Sequence, residues 1–225
     1  MLYLYSVILS SSIPRDVKTE KNMKQKHALK RPKQKRSRER VQLILNSTRA
    51  VLKENGVRAL STNSIAARAG IPVSSIYQYF PNKEAILLGL YEDYLADIRA
   101  VYEEMDTESN HALPWREFLT KILHKLYSAE AHDNLERELE VALGLYPELI
   151  EADRRHEEWI TNQIVKSMQR LGAQWSAAKL KRLAYYLYEL NSTAWSYKTR
   201  HNPPKKELLE WRLASFFSVA EKCFE

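Results

Sequence analysis

The chain of 225 residues has one cysteine and five glycines, and these shortages exclude several classes of protein. Cys223 cannot form an internal disulfide, and a cysteine-based metal site needs several thiolates. We therefore expect a protein of a reducing cytoplasm. The sequence also lacks a glycine-rich phosphate loop and a G-x-S-x-G elbow, and His156 has no second histidine four residues later. It thus predicts no enzyme: no catalytic residue, no cofactor and no metal.

A long apolar run is missing as well. The N-terminal stretch MLYLYSVILSSSIP is apolar, but no basic residue precedes it, and it is shorter than the roughly 18 residues that cross a bilayer. We expect neither secretion nor a membrane span. Translation from Met1 and from Met23 both stay open, because residues 1–22 add no helical pattern. A membrane-associated interaction protein that uses this apolar end remains an alternative of another class.

Positive charge is concentrated near the N-terminus. The net charge of the chain is +7, whereas the 12 basic and 3 acidic residues between Arg15 and Arg40 give this stretch +9. A basic arm before a DNA-reading element can run along phosphates or enter a minor groove. A disordered, solubilising tail is the alternative interpretation.

The segment from Ser61 to Glu84 packs two short helices and the start of a third into two dozen residues, STNSIAARAGIPVSSIYQYFPNKE. Ser61 and Thr62 can cap a first helix, and Gly70 supplies a left-handed turn. Pro72 suits the start of a second helix of about two turns, which Pro81 ends before Asn82 caps the next one. This order predicts a helix-turn-helix.

The second of these helices has one apolar side and one polar side. Ile76 and Phe80 are four residues apart and would pin it to a core. The other side is expected at the surface and offers hydroxyl, amide and phenol groups that bond phosphates or base edges: Val73, Ser74, Ser75, Tyr77, Gln78 and Tyr79. An ordinary helical hairpin surface is the simpler reading of any one of these residues, but their joint spacing favours DNA binding.

Helical spacing continues on both sides of this motif. Apolar residues from Val41 to Leu52 predict a helix that ends at Asn55 and Gly56, and those from Ile86 to Ile98 predict a long fourth helix. Strand-like alternation is absent. We therefore predict an all-α protein of about nine helices, in which a three-helix DNA-binding domain is linked by the long helix to a C-terminal helical bundle.

The runs Ile65–Ile71, Ser75–Phe80 and Asn82–Glu84 resemble the DNA-binding domain of TetR-type transcriptional regulators. The resemblance covers about 60 residues and implies phosphate contacts from Thr62 and Lys83, with groove or phosphate contacts from the six surface residues above. Pro72 and Ser74 depart from the usual serine and glycine of the family, so we infer no operator sequence. The implied organisation is a flexible arm (1–36), a helix-turn-helix domain (37–98) and a ligand-binding and dimerisation domain (99–225).

The C-terminal half is predicted to form five helices, and the last two are the candidate dimer surface. They span about 176–199 and 204–223, and Tyr185, Tyr186 and Trp195 make the first of them apolar on more than one side. A two-fold dimer would place two reading helices about one DNA turn apart, on a palindromic operator of double-stranded DNA.

A small apolar or amphipathic effector and a repressor role are implied by the resemblance alone. Five polar residues could join the many aromatic residues of the bundle in a pocket: His124, Glu138, Glu140, Asn162 and Gln163. The aromatic residues could equally be core packing. A regulator without a small ligand, controlled by a protein partner, is the alternative within DNA binding.

Overall fold

The computed structural model describes residues 35–130 and 135–225, and in these ranges the chain is helical and contains no strand. The helices are α1 (Lys35–Asn55), α2 (Thr62–Ala69), α3 (Val73–Tyr77), α4 (Lys83–Met105), α5 (Glu108–His111), α6 (Trp115–Glu130), α7 (Glu136–Leu143), α8 (Pro147–Arg170), α9 (Ala177–His201) and α10 (Lys205–Ala220). The predicted all-α fold is confirmed. The predicted basic arm lies outside the described residues, apart from its last two.

The described residues form two compact units. The first contains the chain up to Asp93 together with Glu138–Ala152, which we call the return segment because the chain enters this unit a second time there. The core of the first unit includes buried apolar side chains of α1 to α4, of the connections between these helices and of the return segment: Ile44, Leu45, Val51, Leu52, Val57, Leu60, Ile65, Ile76, Phe80, Ile86, Leu87, Leu90, Leu139, Ala142, Leu149 and Ala152.

Local capping explains where the first helices begin and end. The α1 helix ends at Asn55, and Gly56 follows with a positive φ of 73°. The α2 helix starts after the Ser61 cap, and Asn82 accepts a hydrogen bond of 2.8 Å from the Ala85 amide at the start of α4. The α3 helix is shorter than the two turns expected, because helical geometry ends at Tyr77 and Phe80 is reached through a turn.

The second unit contains Tyr94–Arg137 and Asp153–Glu225. Its core gathers side chains of α4, α6, α8, α9 and α10: Ile98, Val101, Met105, Phe118, Ile122, Leu123, Leu126, Ile160, Met168, Leu180, Leu183, Leu187, Phe216 and Ala220. Trp115 at the start of α6 stacks on Phe224 with ring centroids 4.8 Å apart. This contact ties the C-terminus of the chain to the core.

The last helix is rotated from the register that its apolar pattern suggests. Leu208, Arg212, Phe216 and Ala220 are buried at every fourth position, whereas Leu209 and Leu213 are only partly buried. An arginine therefore occupies a core position. Its guanidinium donates a hydrogen bond to Asn191 Oδ1 of α9 and lies 5.8 Å from the Tyr127 ring centroid of α6.

Candidate nucleic-acid interface

Two serines fix the start of α2. The Ser64 amide donates to Ser61 Oγ and the Ser61 amide donates to Ser64 Oγ, both at 3.0 Å, which satisfies two amides that a helix start leaves open. Thr62 is consequently the first residue of the helix. Its Oγ1 shares a hydrogen bond of 3.3 Å with the Tyr77 hydroxyl of α3, so two predicted DNA-contacting residues from different helices meet.

Gly70 sets the turn between α2 and α3. It has φ 64° and ψ 33°, which is the left-handed conformation, and its amide donates to the carbonyls of Ala66 and Ala67. No heavy atom lies within 4 Å of the position that a Cβ would occupy there. The backbone conformation alone therefore accounts for glycine at this turn.

The α3 segment divides as the sequence predicted. Ile76 and Phe80 are 0% and 1% exposed and hold the segment to the core of the first unit. Ser74, Tyr77 and Gln78 are exposed, and Tyr77 shows 53% of its surface. Val73, Ser75 and Tyr79 are partly exposed. All six side chains thus keep some exposed surface, whereas Ile76 and Phe80 are buried.

Lys83 is the first residue of α4, directly after the Asn82 cap. It is partly exposed, and its ammonium lies 5.7 Å from the ring centroid of Tyr146, which belongs to the return segment. A cation over an aromatic face keeps its charge and loses some freedom of movement. Lys83 can therefore still meet a phosphate, and Tyr146 is a neighbour that the sequence did not indicate.

The start of α1 adds positive charge to the first unit. Lys35, Arg36, Arg38 and Arg40 lie in its first two turns, and no acidic residue lies in the first. Lysine and arginine side chains bind phosphate oxygens, so this cluster of cations is a candidate for contact with the DNA backbone.

The junction between α1 and α2 contains a further polar contact. The Glu138 carboxylate of the return segment accepts a hydrogen bond of 2.7 Å from the Val57 amide, at the one-turn 3-10 helix Val57–Ala59. Eighty-one residues separate the two partners in the chain. Sequence spacing indicates only local contacts, so no pattern could have paired them.

Residues 44–90 match the model of the bacterial regulatory proteins of the tetR family. This part of the chain is a DNA-binding domain of the TetR type. The matched range contains all eight predicted DNA-contacting residues, from Thr62 to Lys83, and the family consists of DNA-binding transcriptional regulators rather than enzymes.

The chain is also similar to a curated protein and to solved structures. It is 29% identical over 100 residues, or 44% of its length, to the fatty acid metabolism regulator protein of Bacillus subtilis (strain 168), and the match spans half of that relative. A TetR transcription regulator from Haloarcula marismortui shares the fold with a TM-score of 0.69, at 15% identity over 83% of this chain and 99% of that one. The multidrug binding protein EbrR complexed with malachite green also shares the fold, with a TM-score of 0.65. The two proteins are 16% identical, and the match covers 80% of this chain and 98% of that one.

The polar residues suggested for a ligand pocket have other environments. Glu138 belongs to the first unit and binds the Val57 amide, and His124 is exposed. Asn162 Oδ1 accepts a hydrogen bond of 2.7 Å from the Lys181 ammonium. Each of these three residues thus has an environment that the sequence did not indicate.

Other polar groups of the second unit are buried together near α8. His156 is almost fully buried and accepts a hydrogen bond of 3.3 Å from Arg99 Nε. Burial, and next the positive charge of Arg99, lower the pKa of His156 to about 3. Burial, and next the carboxylates of Glu189 and Asp153, raise the pKa of Glu157 to about 7. A neutral imidazole and a readily protonated acid thus lie on one helix.

An open groove of about 330 Å³ runs between α9 and α10. Its lining is mostly apolar: Leu190, Thr193, Ala194, Tyr197, Leu208, Trp211, Arg212, Ser215 and Phe216. Trp211 is 48% exposed and meets Tyr197 edge-on at 6.2 Å. Tyr185 and Tyr186 of α9 are exposed as well. These two helices form the candidate dimer surface of the sequence analysis.

In the ranges that the structure describes, no helix is both long enough and apolar enough to cross a membrane. The same ranges hold no group of three His, Cys, Asp or Glu residues able to bind a metal ion.

Proposed function

We propose that this TetR-family regulator is a homodimeric repressor that reads a palindromic operator and is released by a small apolar or amphipathic molecule. One observation carries the DNA-reading part. Ile76 and Phe80 anchor α3, so that Ser74, Tyr77 and Gln78 are exposed on a fixed element inside the family match. Val73, Ser75 and Tyr79 would add groove or phosphate contacts, and Thr62 and Lys83 would bind phosphates at either end. Its place of action would be the cytoplasm, where the DNA is.

The groove between α9 and α10 supports the dimer. A half-exposed tryptophan in a mostly apolar groove is unusual for a free surface and typical of the centre of an interface. A second copy related by a two-fold axis would cover it with the same two helices. The operator would then consist of two inverted half-sites about one helical turn apart.

An effector of amphipathic chemistry is supported by the relatives and by the aromatic residues of the second unit. The curated relative is named for fatty acid metabolism, and EbrR was crystallised with malachite green, an aromatic cation. Tyr102 and Trp159 form a partly buried edge-to-face pair at 6.1 Å beside the His156 region. Fatty acids, their thioesters and malachite green are therefore the first compounds to test.

Selection of bound sequences from random double-stranded DNA at physiological salt tests the reading of DNA. We expect enrichment of one palindrome by the full chain, and sedimentation should show a dimer at micromolar concentration. Binding without any enriched sequence would contradict an operator-specific regulator, and a monomer would contradict the dimer.

Thermal unfolding with each compound tests the effector. A true effector at 100 times its dissociation constant should stabilise the fold by about 2.7 kcal/mol, which raises the melting temperature by roughly 5–10 °C, and it should lower the affinity for the selected operator. Control by a protein partner is the second candidate. It would be favoured if no compound raised the melting temperature while the exposed Tyr185 and Tyr186 surface captured a defined protein.

A further inference from the structure

The one-turn helix Val57–Ala59 begins without a capping side chain of its own. Its N-cap residue is Gly56, which offers no side chain, and the Val57 side chain is buried. The first amides of a helix lack partners within the helix and need an acceptor from elsewhere. Glu138 Oε2 supplies that acceptor at 2.7 Å, so a carboxylate from a distant part of the chain acts as the cap.

The backbone at Gly56 is shaped to admit this carboxylate. Gly56 has φ 73° and ψ 169°, a combination that is open almost only to glycine. A Cβ at this residue would lie 3.2 Å from Glu138 Oε2 and 3.7 Å from Glu138 Cδ. Glycine is therefore required here twice, once for the backbone angle and once for the close approach of the carboxylate.

The capped turn determines how α2 begins. The Leu60 amide donates to the Val57 carbonyl and closes the turn, and the Ser61 cap of α2 follows immediately. The orientation of the Val57 amide thus affects the direction in which the chain enters α2 four residues later. Because the Gly70 turn joins α2 to α3, it affects α3 as well. A shift at Val57 moves both elements that are proposed to touch DNA.

The return segment touches the chain on both sides of these elements. Glu138 binds Val57 before α2, and Tyr146 lies against Lys83 after α3. Five buried apolar side chains anchor the segment in the first unit: Leu139, Ala142, Leu143, Leu149 and Ala152. The chain leaves this segment for the second unit at both of its ends, after Ala152 and before Glu138. Any change in the second unit that displaces the segment must therefore act on these two contacts.

We infer that Glu138 is a positioning residue for DNA binding, and that its hydrogen bond to the Val57 amide couples the return segment to α2 and α3. The inference rests on the proposed DNA contacts of these helices. It predicts reciprocity: if the segment holds the reading helices in place, binding of DNA must in turn stabilise the segment. A cap that only adds overall stability would show no such link.

Three variants of the full chain test this. Glu138→Ala removes the cap, Glu138→Gln keeps an oxygen that can accept from the Val57 amide, and Glu117→Ala removes one exposed carboxylate of the second unit as a charge-matched control. Affinity for the selected operator is measured beside affinity for unrelated duplex DNA, well below the melting temperature. We expect Glu138→Ala to weaken operator binding about tenfold or more. The affinity of Glu138→Ala for unrelated DNA should stay within twofold of wild type. Glu138→Gln should lose less operator affinity than Glu138→Ala, and Glu117→Ala should lose none.

Hydrogen exchange gives a readout that a structural role would not move. In free Glu138→Ala the Val57 amide should exchange faster than in wild type. Operator binding should slow exchange in residues 138–152 of wild type and no longer do so in Glu138→Ala, although α2 and α3 stay protected. The inference would be overturned if Glu138→Ala kept wild-type operator affinity, or if the Ala and Gln variants lost operator affinity equally. It would also be overturned if operator binding still slowed exchange in residues 138–152 of Glu138→Ala. Failure of the proposed function looks different, because wild type itself would then select no operator.

Discussion

Gln78 and Lys83 are proposed to contact DNA in different ways, and single substitutions should separate them. Gln78 is exposed on α3 and can pair with a base edge, so Gln78→Ala should relax base preference at one position of each half-site by about 1–3 kcal/mol. Lys83→Ala should weaken binding to every DNA sequence. It should also reduce, by about one, the magnitude of the slope of log affinity against log salt concentration. Titrations on the operator, on single-base variants and at several salt concentrations distinguish the two.

The two substitutions serve as controls for each other. If Gln78→Ala left base preference unchanged, the placement of this face in the groove would be wrong. If Lys83→Ala left the salt slope unchanged, its ammonium would be held by Tyr146 rather than by a phosphate.

Gly56 and Gly70 both have a positive φ, yet replacing them should differ in cost. A Cβ at residue 70 would contact no neighbouring atom, so Gly70→Ala is unfavourable only because of the left-handed backbone angles. We expect a loss of about 1 kcal/mol in the free energy of unfolding. Gly56→Ala places a Cβ in a conformation that side chains almost never adopt and within 3.2 Å of the Glu138 carboxylate, so the loss should reach about 2–3 kcal/mol.

Denaturant unfolding of the full chain measures this difference. Gly144→Ala is a suitable control, because Gly144 has no positive φ and a Cβ there would lie at 3.5 Å from its nearest neighbour, an ordinary contact. Equal losses for Gly56→Ala and Gly70→Ala would mean that neither the backbone angles of Gly56 nor the nearby carboxylate adds a cost.

At the scale of helices, α9 and α10 should join two copies of the chain. Trp211→Glu places a charge in the groove, and burying an unpaired charge at an interface is costly, so the dimer should dissociate and operator affinity should fall at least tenfold. Leu145→Glu is a matched control, since Leu145 is also 48% exposed but lies in the return segment. Sedimentation of both variants measures the change, and a dimeric Trp211→Glu would place the interface elsewhere.

The end of α1, both ends of α2 and the start of α4 could be predicted from sequence because local residues decide them. Ser61, Gly70 and Asn82 act on amides and dihedral angles within three or four positions of themselves. The buried side of α3 was predictable for a similar reason, since Ile76 and Phe80 are one turn apart.

Long-range features of the fold could not be predicted in this way. The pairing of Glu138 with Val57 depends on where the chain returns, and an apolar pattern carries no information about that. In α10, Leu208 is buried but Leu209 and Leu213 are only partly buried, because Arg212 is stabilised in the core by Asn191 and the Tyr127 ring, contacts from two other helices. A pattern that counts only apolar residues must assign arginine to the surface.

At the scale of the whole molecule, two groups on α8 make stability depend on pH in opposite directions. The folded pKa of His156 is about 3, below its usual 6.5, so the unfolded chain binds a proton first and acidification below about pH 6.5 destabilises the fold. The folded pKa of Glu157 is about 7, above its usual 4.5, so the folded chain binds a proton first and stability rises as the pH falls from about 7 to 4.5.

Glu157→Gln isolates the second effect. The variant carries no carboxylate to desolvate beside Glu189 and Asp153, so at pH 8 it should be more stable than wild type. This advantage should shrink through pH 7 and vanish below about pH 4.5, because the wild-type acid is then neutral in both states. Both proteins should share the loss of stability that begins below about pH 6.5, where His156 becomes charged in the unfolded chain. Thermal unfolding between pH 4 and 8, with exposed Glu117→Gln as control, measures the difference. A constant gap across this range would show that folding does not raise the pKa of Glu157, because Lys181 and Arg154 offset the effect of its burial.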